Sequence, residues 1–169
     1  MPREDRERRY IQDYMLSQFP AGGWVTNVPL GPIPQEILSR HGLQAGAALF
    51  RPSRPRIDAV RWTNAGYWLI EAKIREPKHA IGDLLVYKAL AGKTPDLPNY
   101  EGQPLLMRLV VPWALDWVQD EARVHGMELA IFLPAWVEDY VRERQEYFTR
   151  DYRLARDEKM RLRKAFGLE

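Results

Sequence analysis

The sequence contains no cysteine. Disulfides, thiol nucleophiles and cysteine-bound zinc are therefore excluded, and a reducing, cytoplasmic setting is expected. Histidine is scarce. His41, His79 and His125 stand alone, with no partner at zinc-ligand or triad spacing, so core or surface roles are expected of them. No apolar run approaches the roughly 20 residues of a membrane span, and no membrane partner is expected. The opening MPREDRERRY is charged with no apolar segment behind it, unlike a secretory leader. A formal net charge of +2 is too small for a polycationic surface, so any affinity for anions must come from how the charges are distributed. Asn and Ser are also sparse, and arginine far outnumbers lysine. A GC-rich or thermophilic source would give that bias, as would a preference for arginine in phosphate contacts.

What the sequence does have is a stretch of charge set inside apolar strands. Residues 57–62 and 67–74 are rich in β-formers, and Asn64-Ala65-Gly66 between them supplies turn chemistry, with Gly66 expected at positive φ. A loop over residues 63–66 sets Trp62 against Tyr67, Val60 against Leu69 and Asp58 against Glu71. Alternation then places Glu71 and Lys73 on one face, with Asp58 joining them from the neighbouring strand. Opposed residues have Cβ atoms roughly 4.5–5.5 Å apart. Two carboxylates that close repel unless a cation lies between them, and hard oxygen ligands suit Mg²⁺ or Mn²⁺. The plainer reading is an ion pair on a sheet surface, but charges flanked on both sides by apolar strand residues are uncommon.

The remaining elements follow in order. Residues 3–19 carry Tyr10, Ile11, Tyr14 and Met15 at helical spacing, and Pro20 and Gly22-Gly23 end that helix. Residues 24–28 form a strand. Residues 35–41 form a short helix stopped by Gly42, and residues 47–50 a second short strand. Arg51, Arg54 and Arg56 make a basic approach to Asp58, where Arg54 and Arg56 could hold a phosphate backbone. Pro77 opens a helix to about Gly92, with Ile81, Leu84, Leu85 and Ala89 inward. Lys78 and Lys88 add positive charge along it, and Asp83 and Tyr87 share a stripe at i and i+4. Ala91-Gly92-Lys93-Thr94 imitates the end of a phosphate-binding loop, but it closes a helix and lacks the first glycine. Residues 105–111 form an apolar strand, residues 114–125 a helix burying Leu115, Val118 and Ala122, and residues 127–133 another strand, a unit that implies parallel pairing. Residues 135–166 read as one long helix or two with a break, basic beyond Thr149 and about 45 Å long if continuous. The chain thus divides into an α/β domain over residues 1–148 and a basic helical extension over residues 149–169. The extension is a candidate for a protein partner, a second copy of the chain or DNA, or else a solvated end.

Asp58 followed by Glu71-Ala72-Lys73 at the end of an apolar strand resembles the PD-(D/E)xK nuclease superfamily. The motif and the order of elements around it cover about half the chain. Ile57 stands where that family has proline. The resemblance implies a restriction-endonuclease-like αβββαβ core with a mixed central sheet and a DNA-cutting, Mg²⁺- or Mn²⁺-dependent site. In it Asp58, Glu71 and the Ala72 carbonyl would hold the metal, and Lys73 would serve the attacking water and the phosphate. Many members carry an acid on the first helix, which makes Glu7 the candidate here, with Glu4 and Asp5 as rivals. RecB-like members carry a Gln-x-x-x-Tyr pair on the helix after the lysine; Tyr87 matches it and Asp83 replaces the glutamine. The alternative is a non-catalytic interaction protein that keeps the fold and works through its C-terminal helix.

Overall fold

The alternation along residues 57–74 folds into a β-hairpin. In the computed structural model, which describes residues 3–146 and 150–166, β2 (Arg56–Thr63) and β3 (Gly66–Ala72) pair antiparallel, Trp62 opposite Tyr67 and Val60 opposite Leu69. The turn is tighter than expected: Thr63 also pairs with Gly66, leaving Asn64 and Ala65 between the strands. The Thr63 hydroxyl holds it by accepting from the Ala65 and Gly66 amides, each at 3.2 Å. Gly66 does not take positive φ. Its requirement is room, because a Cβ there would meet Leu106 Cδ1 at 2.7 Å and the Pro104 carbonyl at 3.1 Å.

The hairpin is the middle of a five-stranded sheet. β1 (Trp24–Pro29) joins β2 antiparallel, and β4 (Leu105–Val111) and β5 (Met127–Ile131) follow β3 in parallel, in the order β1-β2-β3-β4-β5. Parallel neighbours need crossovers, which α3 (Pro77–Ala91) and α4 (Asp116–Val124) supply. The sheet is mixed and the class α/β, as the pattern of elements predicts.

Each strand sends alternate residues to two sides. One side carries Val60, Tyr67, Leu69, Met107, Leu109 and Val111, which pack with Ala80, Ile81, Leu84, Val118 and Ala122 of α3 and α4. The other carries Arg61, Trp68 and Arg108, which meet α1 (Arg3–Gln18) and the residue beyond it. The Arg61 guanidinium lies 4.1 Å from the Phe19 ring, and Arg108 donates to the Tyr14 hydroxyl at 3.2 Å and lies 4.4 Å from the Trp68 ring. Tyr10, Ile11, Tyr14 and Met15 of α1 are buried, the stripe expected of them.

Four expectations need correction. Residues 47–50 are not a strand. Helix α2 (Gln35–Phe50) breaks at Gly42, where φ is 73°, and then resumes through alanine-rich sequence, with Gly46 buried against Ile37 and Leu38 of its first half. Helix α3 turns Ala80, Ile81, Leu84 and Ala91 inward, while Leu85 and Ala89 are exposed. Leu115 caps α4 from outside and is also exposed. β5 ends at Ile131, two residues early.

The strands and α1 to α4 belong to one compact unit, Met1–Phe132. A second, Leu133–Glu169, contains α5 (Ala135–Glu146) and α6 (Arg150–Ala165). Helix α6 exposes Leu154, Met160 and Leu162. Tyr147, Phe148 and the side chain of Tyr152 lie outside the described residues. Among the described residues, no helix is long and apolar enough to cross a membrane.

Gly66→Ala tests the turn. The added methyl would displace the Leu106 side chain and crowd the Pro104 carbonyl, so it should cost on the order of 1–3 kcal/mol. Urea unfolding should show a lower midpoint with an unchanged slope; an unchanged midpoint would mean that the turn has slack.

Candidate active site

Backbone pairing fails on both sides of Asp58. Towards β3, the ladder stops at Ala59 opposite Ile70, one step before Asp58 and Glu71. Towards β1, pairing skips from Thr26–Ala59 to Val28–Ile57, and Asn27, the residue between, takes a left-handed backbone with φ 57°. Asparagine tolerates that conformation better than most residues. Its carbonyl accepts from Arg51 Nη2 at 3.1 Å.

The carboxylates replace the missing ladder bonds. The Ala72 amide donates to Asp58 Oδ2 at 2.9 Å, and the Asp58 amide donates to Glu71 Oε2 at 3.3 Å. Asp58 and Glu71 therefore converge, as the hairpin register predicts, but as side chains closing a gap and not as a ladder pair. Lys73 Nζ lies 3.0 Å from Glu71 Oε1 and 3.6 Å from Glu7 Oε2. Glu7 thus reaches the end of β3 from α1. Asp5 is exposed, and the side chain of Glu4 lies outside the described residues.

The Ala72 carbonyl turns the same way. The Lys73 amide donates to Val110 O on β4 at 2.9 Å, and no peptide bond here is cis. Across a trans peptide the preceding carbonyl points opposite to the amide. The Ala72 carbonyl is therefore directed away from β4, to the side of the strand on which β2 lies.

Burial sets the electrostatics. Glu71 is 2% exposed. Its pKa is raised to about 8, first by desolvation and then by the negative charge of Asp58, with Lys73 opposing both. Asp58 is raised to about 6, again first by desolvation; the Ala72 amide and Lys73 pull it down, while Glu7 and Asp83 push it up. The 3.0 Å Lys73 contact alone favours an ionised Glu71, but desolvation outweighs it. Lys73 is shifted upward: desolvation would lower it, and Glu71, Asp58 and Glu7 together overcome that. Tyr87 is also raised, by burial and then by Glu71, Asp83 and Asp58, so the carboxylates reach Tyr87 and Asp83 reaches Asp58.

Two clefts adjoin this cluster. On the Asp58 side, Glu7, Arg8, Gln12, Thr26, Asn27 and Arg56 line an open cleft of about 680 Å³. On the Lys73 side a hollow of about 250 Å³ is walled by Arg75, Pro112, Trp113 and Leu115. Lys78 and Lys88 are exposed on α3. Arg54 corrects an expectation. It is 4% exposed, its guanidinium grips Asp96 through bonds of 2.9 and 2.7 Å, and it donates to the Pro29 carbonyl at 3.2 Å. It is a buried tie between loops and faces no phosphate. The sequence reading missed Asn27, Arg8 and Trp113. Asparagine's tolerance of positive φ was the one available hint for Asn27, and nothing local marked the other two.

The donor set fits a hard divalent ion. Among the described residues, no three acidic or histidine side chains cluster closely enough to hold a metal unaided. One or two carboxylates are the usual protein share of a Mg²⁺ site, with water and phosphate supplying the rest, so Asp58 and Glu71 could hold one. Each oxygen already bonded to an amide keeps a lone pair.

No family model matches the sequence, and no curated protein matches it. Among solved structures the chain is similar to a repair endonuclease from Pyrococcus abyssi, with 17% identity and a TM-score of 0.44 over 75% of this chain and 46% of that one. The chain therefore spans about half the length of that protein. Likeness at this level establishes neither family nor activity.

The raised carboxylates set a pH dependence. Their folded-state values, about 6 and about 8, exceed the unfolded ones, so the folded state binds more protons from roughly pH 4 to pH 8. Stability of the metal-free protein should fall as pH rises through that window, by a few kcal/mol. Lys73 stays charged throughout and adds no slope. Urea unfolding of the wild type in EDTA should show this decline, and the Asp58→Asn, Glu71→Gln double variant should flatten it. A wild type that gains stability over the same range would mean that Lys73 wins the contest with burial.

Proposed function

We propose that the protein is a metal-dependent nuclease that hydrolyses phosphodiester bonds in DNA. The observation that carries this reading is the convergence of Asp58, Glu71 and Lys73 where the sheet opens, beside a polar cleft that Arg8 and Arg56 help to line. Asp58, Glu71 and the Ala72 carbonyl would hold Mg²⁺ or Mn²⁺. That ion, when bound, supplies a water of lowered pKa and neutralises charge on the phosphate.

The chain's own residues do the rest. Lys73, kept protonated by three carboxylates, acts as an ammonium: it holds a non-bridging phosphate oxygen and orients the attacking water, and it is not the base. Glu7, already against Lys73, fixes its position and can accept a hydrogen bond from that water. The Tyr87 hydroxyl, held neutral, can donate to the phosphate. Arg56 lines the cleft beside Asp58, and Lys78 and Lys88 carry the charge on along α3, a path for the flanking phosphates.

A second reading has one observation in its favour. Lys73 already balances Glu71 and Glu7, as it would in a non-catalytic protein that keeps this ion cluster for its fold and works through a protein partner or a second copy at its C-terminal helices. Two experiments divide the readings.

Asp58→Asn keeps an oxygen to accept the Ala72 amide and removes one of two repelling charges. The fold should hold or gain stability in EDTA, while calorimetric Mn²⁺ binding is lost. Loss of several kcal/mol instead would mark Asp58 as a structural partner.

Lys73→Ala should reduce Mg²⁺-dependent nicking of supercoiled, linear and branched DNA by about 10²-fold or more. Mn²⁺ affinity should be unchanged or slightly higher, because a neighbouring cation has gone. If the metal-loaded wild type cuts none of these, nor single-stranded DNA or RNA, the second reading replaces the first.

A further inference from the structure

The two clefts beside the carboxylates differ in chemistry. The larger, on the Asp58 side, is lined mostly by charged and polar residues, including Arg8 and Arg56. The smaller, on the Lys73 side, is walled by Pro112, Trp113 and Leu115 with Arg75 at its edge. Trp113 follows the last residue of β4 by two, and Trp113 and Leu115 are 40% and 49% exposed. Trp113 thus presents a large aromatic to solvent beside the part-buried Lys73.

At about 250 Å³ the hollow is smaller than the roughly 300–1,000 Å³ of clefts that enclose drug-sized ligands. A flat ring with a charged tail suits it. The apolar wall and the Trp113 indole offer stacking, Arg75 and Lys73 outnumber Glu76 on the lining and offer phosphate contacts, and Lys73 is shared with the carboxylate cluster. A paired base inside a duplex cannot reach such a wall, because both its faces are already stacked.

We propose that this hollow holds one unpaired nucleobase of the substrate strand, stacked on Trp113 next to the phosphate addressed by Lys73. The protein then selects DNA that is single-stranded, frayed or branched at the cut over fully paired duplex. This rests on the nuclease reading for its phosphate, but its test reads binding separately from cleavage.

The probes are a fluorescently labelled oligothymidylate and a labelled blunt duplex. Anisotropy is followed with Ca²⁺ in place of Mg²⁺, so that nothing is cut. Wild type should prefer the single strand. Trp113→Ala should weaken that binding roughly ten-fold, the scale of one lost base stack, and leave duplex binding unchanged. Trp113→Phe should retain most of the affinity. Trp117→Ala, which removes another exposed tryptophan that does not line the hollow, should change nothing. A 2-aminopurine walked along the strand should be quenched at one position in wild type, and this tests the stack even if Trp113→Ala does not fold. Equal losses for both DNAs, no loss in Trp113→Ala, or no quenched position overturns the base subsite and leaves the nuclease reading standing. Trp113-dependent binding without cleavage in Mg²⁺ supports the subsite and overturns the catalysis. A wild type that binds neither DNA overturns both.

Discussion

Two carboxyl groups are held out of water at the place where the sheet comes apart, and the surroundings of Asp58 follow from the cost of charging them there. A β-ladder would satisfy its own amides and leave no room for carboxylates. Here the ladder ends early, and the freed amides of Asp58 and Ala72 are satisfied by Glu71 and Asp58 in turn. Each acid therefore completes the backbone of a strand that is not its own. Burial disfavours their charged forms and Lys73 opposes that, and their raised pKa values show that burial is the stronger of the two. A site left short of positive charge is prepared to receive more of it.

The surrounding fold keeps this gap from closing. At one end of the hairpin a two-residue turn is fixed by Thr63 and pressed against β4 by the absence of a side chain at Gly66. At the other, the bidentate Arg54–Asp96 bond ties the approach to β2 to the loop after α3. Helix α1 covers one side of the sheet and sends Glu7 past its end; helix α3 covers the other and brings Asp83 and Tyr87 within electrostatic reach. The hairpin is thus fixed at both ends and opened between them, and those ties hold the pair at close range.

Much of this was legible in the chain because strand alternation is a strong local signal. Trp62, Val60, Leu69 and Tyr67 fixed the register, and with it the meeting of Asp58 and Glu71. The stripe of Tyr10, Ile11, Tyr14 and Met15 gave α1 its buried face in the same way. What failed was non-local. Arg54 looked like a basic loop residue because its partner, Asp96, is 42 positions away. Gly66 looked like a conformational requirement when the limit was space against Leu106. Gly42 looked like a helix stop, but the alanine-rich segment after it resumes a helix that packs on its own first half. Asn27 carried only the general tolerance of asparagine for positive φ, because its conformation matters only opposite Asp58.

The exchange of ladder bonds for carboxylate bonds has a further consequence, in how the site can be observed. Two main-chain amides, those of Asp58 and Ala72, are wired directly to the groups whose charge decides the chemistry. Their nitrogen and proton resonances should move when either acid gains a proton or turns towards a cation, while the amides of Val60 and Leu69, two and three residues along the same strands, stay still. The protein therefore carries a built-in pair of spectroscopic reporters, readable without a substrate, a label or a substitution.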